Sequence, residues 1–190
     1  MLEEIELYAK KERVPIMMKD GIEYLCNYIK ENNIKNILEI GSAIGYSAIK
    51  MALVSDDIKI TTIEKDEQRY NIAVENINKF NLQNRINIIL GDALDTKIEG
   101  KFDLIFIDAS KGNNINFFNK YKTNLKYNGI IITDNLLFHG LVKDESLAKT
   151  RNQRGIVRKI KHFIEFLDNN EEFETEYLEI GDGIAISRRK

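Results

Sequence analysis

Five short runs of branched aliphatic residues, each separated from the next by a longer stretch of mixed polarity, constrain this chain more than any other feature. They are NILEI (36–40), IKITTI (58–63), INIIL (86–90), FDLIFI (102–107) and GIIIT (129–133). Because they are apolar almost throughout, they predict strands buried on both faces, the pattern of a parallel sheet covered by helices. The stretches 46–54, 66–80 and 113–125 between them have helical spacing. Strand–helix–strand units joined by right-handed crossovers give a doubly wound α/β domain. The pattern changes near the end. A long helix around 152–169 precedes FETEYLEI (173–180) and GIAIS (183–187), joined by Gly181-Asp182-Gly183. That pair predicts an antiparallel hairpin closing a mostly parallel, seven-stranded sheet.

At 190 residues, without a repeat, low-complexity tract or Pro/Gly-rich linker, the chain is expected to form one domain over 1–190. The single proline, Pro15, separates an amphipathic N-terminal segment from a second one at 17–31. In the first, Leu2, Ile5, Leu7 and Tyr8 need cover, which predicts packing on the domain or across a homodimer. No apolar run approaches the ~20 residues of a membrane helix. The charged start, MLEEIELYAKKER, is unlike a signal peptide, so a cytoplasmic, membrane-free protein is expected. The lone Cys26, among Ile22, Leu25 and Ile29, excludes a disulfide framework and reads as a buried structural thiol.

The first strand runs into Glu39-Ile40-Gly41-Ser42-Ala43-Ile44-Gly45-Tyr46-Ser47. A glycine turn between strand and helix lets a ligand approach the backbone and sets it at a helix N-terminus, where free N–H groups favour an anion such as a carboxylate. The Ser47 hydroxyl adds a donor. The spacing is G-x-x-x-G, with Ala43 where a dinucleotide fingerprint has its second glycine, which counts against NAD. Glu64 ends the second strand and suits a ribose diol; Asp92 follows the third and suits an adenine amino group.

Strands four and five end in Phe106-Ile107-Asp108-Ala109-Ser110-Lys111 and Ile132-Thr133-Asp134-Asn135. Neighbouring strands bring Asp108, Asp134 and Asn135 together beyond their carboxyl ends. Two carboxylates and an amide oxygen form a hard set suited to magnesium or calcium rather than zinc. Lys111, three residues after Asp108, is placed as a general base.

On LEIGSAIGYSAIKMA, TTIEKDE, FIDASKGN and ITDNLLFHG the chain resembles the superfamily of metal-dependent catechol and caffeoyl-CoA O-methyltransferases. The resemblance covers about residues 14–140 by motif and the remainder by architecture. It implies a Rossmann-like class I methyltransferase fold with S-adenosylmethionine and magnesium as cofactors. Glu39, Gly41, Ser47, Glu64, Asp92 and Asp108 would bind the cofactor. Asp108, Asp134 and Asn135 would bind the metal, and Lys111 would be the base. VPIMMKDG is similar to the family's N-terminal cover over the methionine end of the cofactor, which implies Val14 and Ile16 nearby. The tryptophans that line catechol sites in the family have no counterpart, since the chain contains none.

Within the superfamily, VPIMMKDGIEYL, DNLLFHGLV, RNQRGIVRKIKHF and GDGIAIS resemble the bacterial tRNA 5-hydroxyuridine methyltransferases, although Arg13 stands where that pattern has histidine. The branch implies a wobble uridine in a tRNA anticodon arm as substrate. Charge supports an anionic partner: 149–161 carries six basic residues and no acid, on a chain of net charge −2. As a helix, Arg151, Arg154, Arg158 and Lys161 share one face and Ile156, Ile160, Phe163, Ile164 and Leu167 the other. Gly155 predicts a weak first turn and a start later than Arg151. Phe138 is the candidate for base stacking, His139 for the pocket lining, and His162 for the helix surface. The competing readings are a catechol or phenylpropanoid O-methyltransferase and a non-catalytic binding module. The intact acid, amide and lysine set argues against the module.

Overall fold

A computed structural model describes residues 1–190. Helices α1 (Leu2–Glu12) and α2 (Lys19–Glu31) precede β1 (Asn36–Ile40), α3 (Tyr46–Ala52), β2 (Lys59–Glu64), α4 (Glu67–Lys79), β3 (Ile86–Leu90) and β4 (Phe102–Ile107). The chain continues through α5 (Asn114–Tyr121), β5 (Leu125–Thr133), α6 (Arg151–Asp168), β6 (Phe173–Leu178) and β7 (Ile184–Arg189). The seven strands form one sheet in the order β3-β2-β1-β4-β5-β7-β6. Strands β1 to β5 are parallel, and β7 runs antiparallel to both β5 and β6. The expected α/β sheet with a closing hairpin is therefore present. No helix is long and apolar enough to cross a membrane.

The alternation of side chains along each strand splits the core between the two faces. Ile37, Leu104 and Phe106 face α1, α2 and α3, packing with Ile5, Ile22, Leu25 and Ile49. Leu38, Ile40, Ile105 and Ile107 face the other way, onto Phe117, Phe118, Ile160 and Phe163 of α5 and α6. There Phe118 meets Phe173 edge-on, with ring centroids 5.1 Å apart, which binds α5 to β6.

The largest boundary differences from the sequence reading lie on either side of residue 125. The 113–125 helix stops at Tyr121 and becomes a 3-10 turn, and β5 starts at Leu125 rather than residue 129. Leu125 pairs with Phe102 across a register shift. Tyr127 and Asn128 in the new segment are exposed, so no apolar run announces them.

Helix α6 begins at Arg151 despite Gly155. Thr150 Oγ1 accepts from the Gln153 backbone N–H and Gln153 Oε1 accepts from the Thr150 backbone N–H, a capping box that offsets the glycine. Its buried stripe is Val157, Ile160, Phe163 and Leu167; Ile156 and Ile164 are only half-buried. The N-terminal helix packs on the domain through Ile5 and Ala9, leaving Leu7 and Tyr8 exposed. Cys26 is half-buried, its thiol pushed up to about 11 chiefly by burial, as an inert thiol should be.

Candidate active site

The strand order turns between β1 and β4, and the crevice beyond their carboxyl ends opens into a cavity of about 530 Å³. Gly41 makes the junction possible. It sits at φ +93°, and a Cβ there would lie 2.6 Å from the Asp108 carbonyl oxygen. Only glycine allows this approach, which lets Asp108 donate its N–H to the Ile40 carbonyl at 3.0 Å. The turn then runs through Ser42 and Ala43, both on the cavity wall, into α3.

Glu39 is fully buried and lies beneath that wall. Its two carboxylate oxygens accept from Ser47 Oγ and Thr62 Oγ1, each at 2.5 Å. Burial, opposed by those two hydrogen bonds, raises its carboxyl to about 7. Ser47 itself lines the cavity, so Glu39 bears on a ligand there through Ser47, where the sequence reading had it in direct contact. Glu64 does line the cavity, and its carboxylate accepts from the N–H groups of Ala43 at 2.8 Å and Asp66 at 2.9 Å. It thereby staples the glycine turn to the end of β2. Asp92 lines the same wall, with one oxygen held by the Leu94 N–H at 2.8 Å.

At the other end, Asp108, Lys111 and Asn135 line the cavity, with Asp134 buried behind them. Lys111 Nζ donates to Asn135 Oδ1 at 2.5 Å and Asp108 Oδ1 at 3.3 Å. Asp134 Oδ1 is buried with no hydrogen-bond partner. Burial and the Asp108 charge raise its carboxyl to about 7, and burial raises Asp108 as well, against the pull of Lys111. An orphaned acceptor, two carboxylates that resist ionising together and an aligned amide oxygen fit a hard divalent cation.

The segment expected to cover the cofactor borders the cavity. Pro15, Ile16, Met17 and Met18 line the cavity, whereas Val14 packs toward the core instead. His139 lines it too, as expected, as does Phe138, and His162 is at the helix surface. Both Phe138 and His139 hold positive φ, 46° and 55°. The sequence reading missed Asp182, Tyr46 and Thr62. Asp182, flanked by two glycines, reads as a turn residue. Nothing along the chain reveals that it reaches the segment after β5.

Of the basic face of α6, Arg151, Arg154, Arg158 and Lys161 are all exposed. Arg154 donates to the carbonyls of Ala148 and Lys149, and Lys161 pairs with Glu145. Lys159, on the same helix, lies close to Gly112, between the cavity residues Lys111 and Asn113: a Cβ on Gly112 would lie 2.9 Å from its Nζ.

A family profile described as O-methyltransferase matches residues 1–190. A caffeoyl-CoA O-methyltransferase of Populus kitakamiensis is 31% identical over 96% of this chain and 81% of its own. The crystal structure of a Staphylococcus aureus protein, provisionally described as a caffeoyl-CoA O-methyltransferase, superposes with a TM-score of 0.95 at 39% identity, covering 100% of this chain and 92% of that one. An O-methyltransferase from Bacillus cereus, solved with S-adenosylhomocysteine, gives 0.84 at 28% identity, covering 100% and 90%. With the glycine turn, the acids after successive strands and the lysine beside them all gathered at one crevice, the chain belongs to the O-methyltransferase family.

Proposed function

We propose that this protein is an S-adenosylmethionine- and magnesium-dependent O-methyltransferase whose substrate is a 5-hydroxyuridine at the wobble position of tRNA. The observation that carries the substrate assignment is the basic surface adjoining the cavity. Arg151, Arg158 and Lys159 line a shallow concavity on α6, and Lys159 overlies Gly112, between Lys111 and Asn113 of the cavity wall. A phosphate backbone lying on that surface would bring an unstacked loop base to the opening.

Asp108, Asp134 and Asn135 would hold the cation, which would supply a Lewis acid that lowers the pKa of the substrate hydroxyl. Glu64 and Asp92 would hold the ribose and adenine. The Gly41–Gly45 turn and Ser47 would receive the methionine carboxylate. Lys111 Nζ would take the hydroxyl proton as the substrate oxygen attacks the methyl carbon. The carbon–sulfur bond would break in line as the carbon–oxygen bond forms, and S-adenosylhomocysteine would leave with the sulfur lone pair restored.

The plant relatives favour a second substrate, a catechol-bearing thioester such as caffeoyl-CoA. The assay offers purified enzyme tRNA carrying 5-hydroxyuridine, caffeoyl-CoA and free catechol, with and without EDTA. Methylation of tRNA alone, abolished by EDTA, is expected. Methylation of either phenol with none on tRNA overturns the RNA substrate, and full turnover in EDTA overturns the metal. The reading also makes the enzyme cytoplasmic and a homodimer, with the exposed Leu7 and Tyr8 of α1 at the contact. A monomer by light scattering at micromolar concentration rejects the dimer.

A further inference from the structure

We propose that Asp182, in the turn between β6 and β7, is the positioning residue that holds the Asn135 side chain with its oxygen toward the cation site. The inference rests on the metal reading above. An asparagine amide presents an oxygen at one end and two donors at the other, and only the oxygen binds a cation. Two charges of opposite sign flank this amide. Lys111 Nζ donates to Oδ1 at 2.5 Å, and Asp182 Oδ2 lies 3.4 Å from Nδ2. Inverting the amide would set its donors against the ammonium and its oxygen against the carboxylate.

Asp182 is itself firmly placed. It is 4% exposed, and its Oδ1 accepts from the His139 backbone N–H. Its carbonyl accepts from the Leu137 N–H at 2.7 Å, and the Gly183 carbonyl accepts from the Leu136 N–H at 3.0 Å. Gly183 has φ +87°, and a Cβ there would strike Leu137 Cγ at 2.6 Å, so the turn packs directly on the 135–139 segment. From the other side, Asp20 at the start of α2 accepts from the Gly181 N–H at 3.0 Å. The segment it holds is costly in backbone terms, with Asn135, Phe138 and His139 all at positive φ. The C-terminal hairpin therefore supplies both the tether for that segment and the charge that orients its amide.

Asp182→Asn tests this with little disturbance. The new side chain keeps an oxygen to accept from His139 but turns an NH2 toward the Asn135 NH2, and two donors facing each other drive Asn135 to invert. Calorimetric titration of the protein, saturated with S-adenosylhomocysteine, with Mg2+ or Mn2+ should show the Kd rise by about tenfold to a hundredfold in D182N. Affinity for S-adenosylhomocysteine should stay within twofold. In an Asn135→Asp background the carboxylate has no orientation to set and sits against Asp182. Adding D182N there should leave cation affinity unchanged or tighten it. Unchanged affinity in D182N alone overturns the proposal. So does an equal loss in both backgrounds, or loss of S-adenosylhomocysteine binding, since each marks a general structural role. A wild-type protein that binds neither cation sinks the metal reading itself, a separate outcome.

Discussion

Tyr46 donates its phenol hydroxyl to the Glu6 carboxylate across 2.7 Å, joining the N-terminal helix to the first residue of the helix that follows the glycine turn. Tyr46 also lines the cavity. The contact thus connects α1, which precedes the Pro15–Met18 segment, to the cavity wall.

Removing the hydroxyl should loosen the cover without emptying the core. Tyr46→Phe is expected to weaken S-adenosylmethionine binding about threefold to tenfold and to lower Tm by roughly 3 °C, as befits one hydrogen bond to a charged acceptor. Titration calorimetry and scanning calorimetry check both. An unchanged cofactor Kd would show that α1 is not coupled to the site.

Glu39 should make stability depend on pH. Burial raises its carboxyl to about 7, above its ordinary value of 4.5. The fold therefore favours the protonated form. This contribution is fully present below about pH 4.5 and is lost as pH rises through 7. Tm is expected to fall between pH 5 and pH 8, and Glu39→Gln should flatten that fall. An equally steep fall in the variant would assign the pH dependence to other groups.

Lys111→Ala should act on turnover rather than on cofactor affinity, because a base is used mainly in the transition state. A loss of kcat of about 10²–10⁴-fold is expected, with S-adenosylmethionine Kd within twofold. The deficit should shrink as pH rises and the substrate hydroxyl ionises unaided. A wild-type kcat removes Lys111 from the reaction.

On α6 the residues to change are Arg158 and Lys159. Arg154 is engaged with the Ala148 and Lys149 carbonyls and Lys161 with Glu145, so altering those would confound folding with binding. Arg158→Ala with Lys159→Ala should weaken tRNA binding at every sequence and reduce the slope of log affinity against log salt by about 2. Filter binding across a salt series checks this, and an unchanged slope would show that neither side chain meets a phosphate.

Much of this protein is decided locally, along the chain. The apolar runs at 36–40, 86–90 and 102–107 coincide with β1, β3 and β4, because burial on both faces leaves a continuous signal in the residues themselves. Gly41, Glu64, Asp92, Asp108 and Lys111 were legible as cavity residues because each lies at or shortly after the carboxyl end of a strand, on the side where a doubly wound sheet binds ligands. Tertiary structure alone decided the rest. Val14 and Ile16 are two residues apart, yet only Ile16 reaches the cavity. Glu39 follows the pleat into the interior and bears on the cavity through Ser47. Asp182 has no local mark beyond two flanking glycines. Its role exists only because β7 returns antiparallel to β5, which carries residue 182 to Asn135 and His139. Strand burial is a property of neighbours in sequence, whereas the orientation of one amide is set by charges that meet only after the sheet has closed.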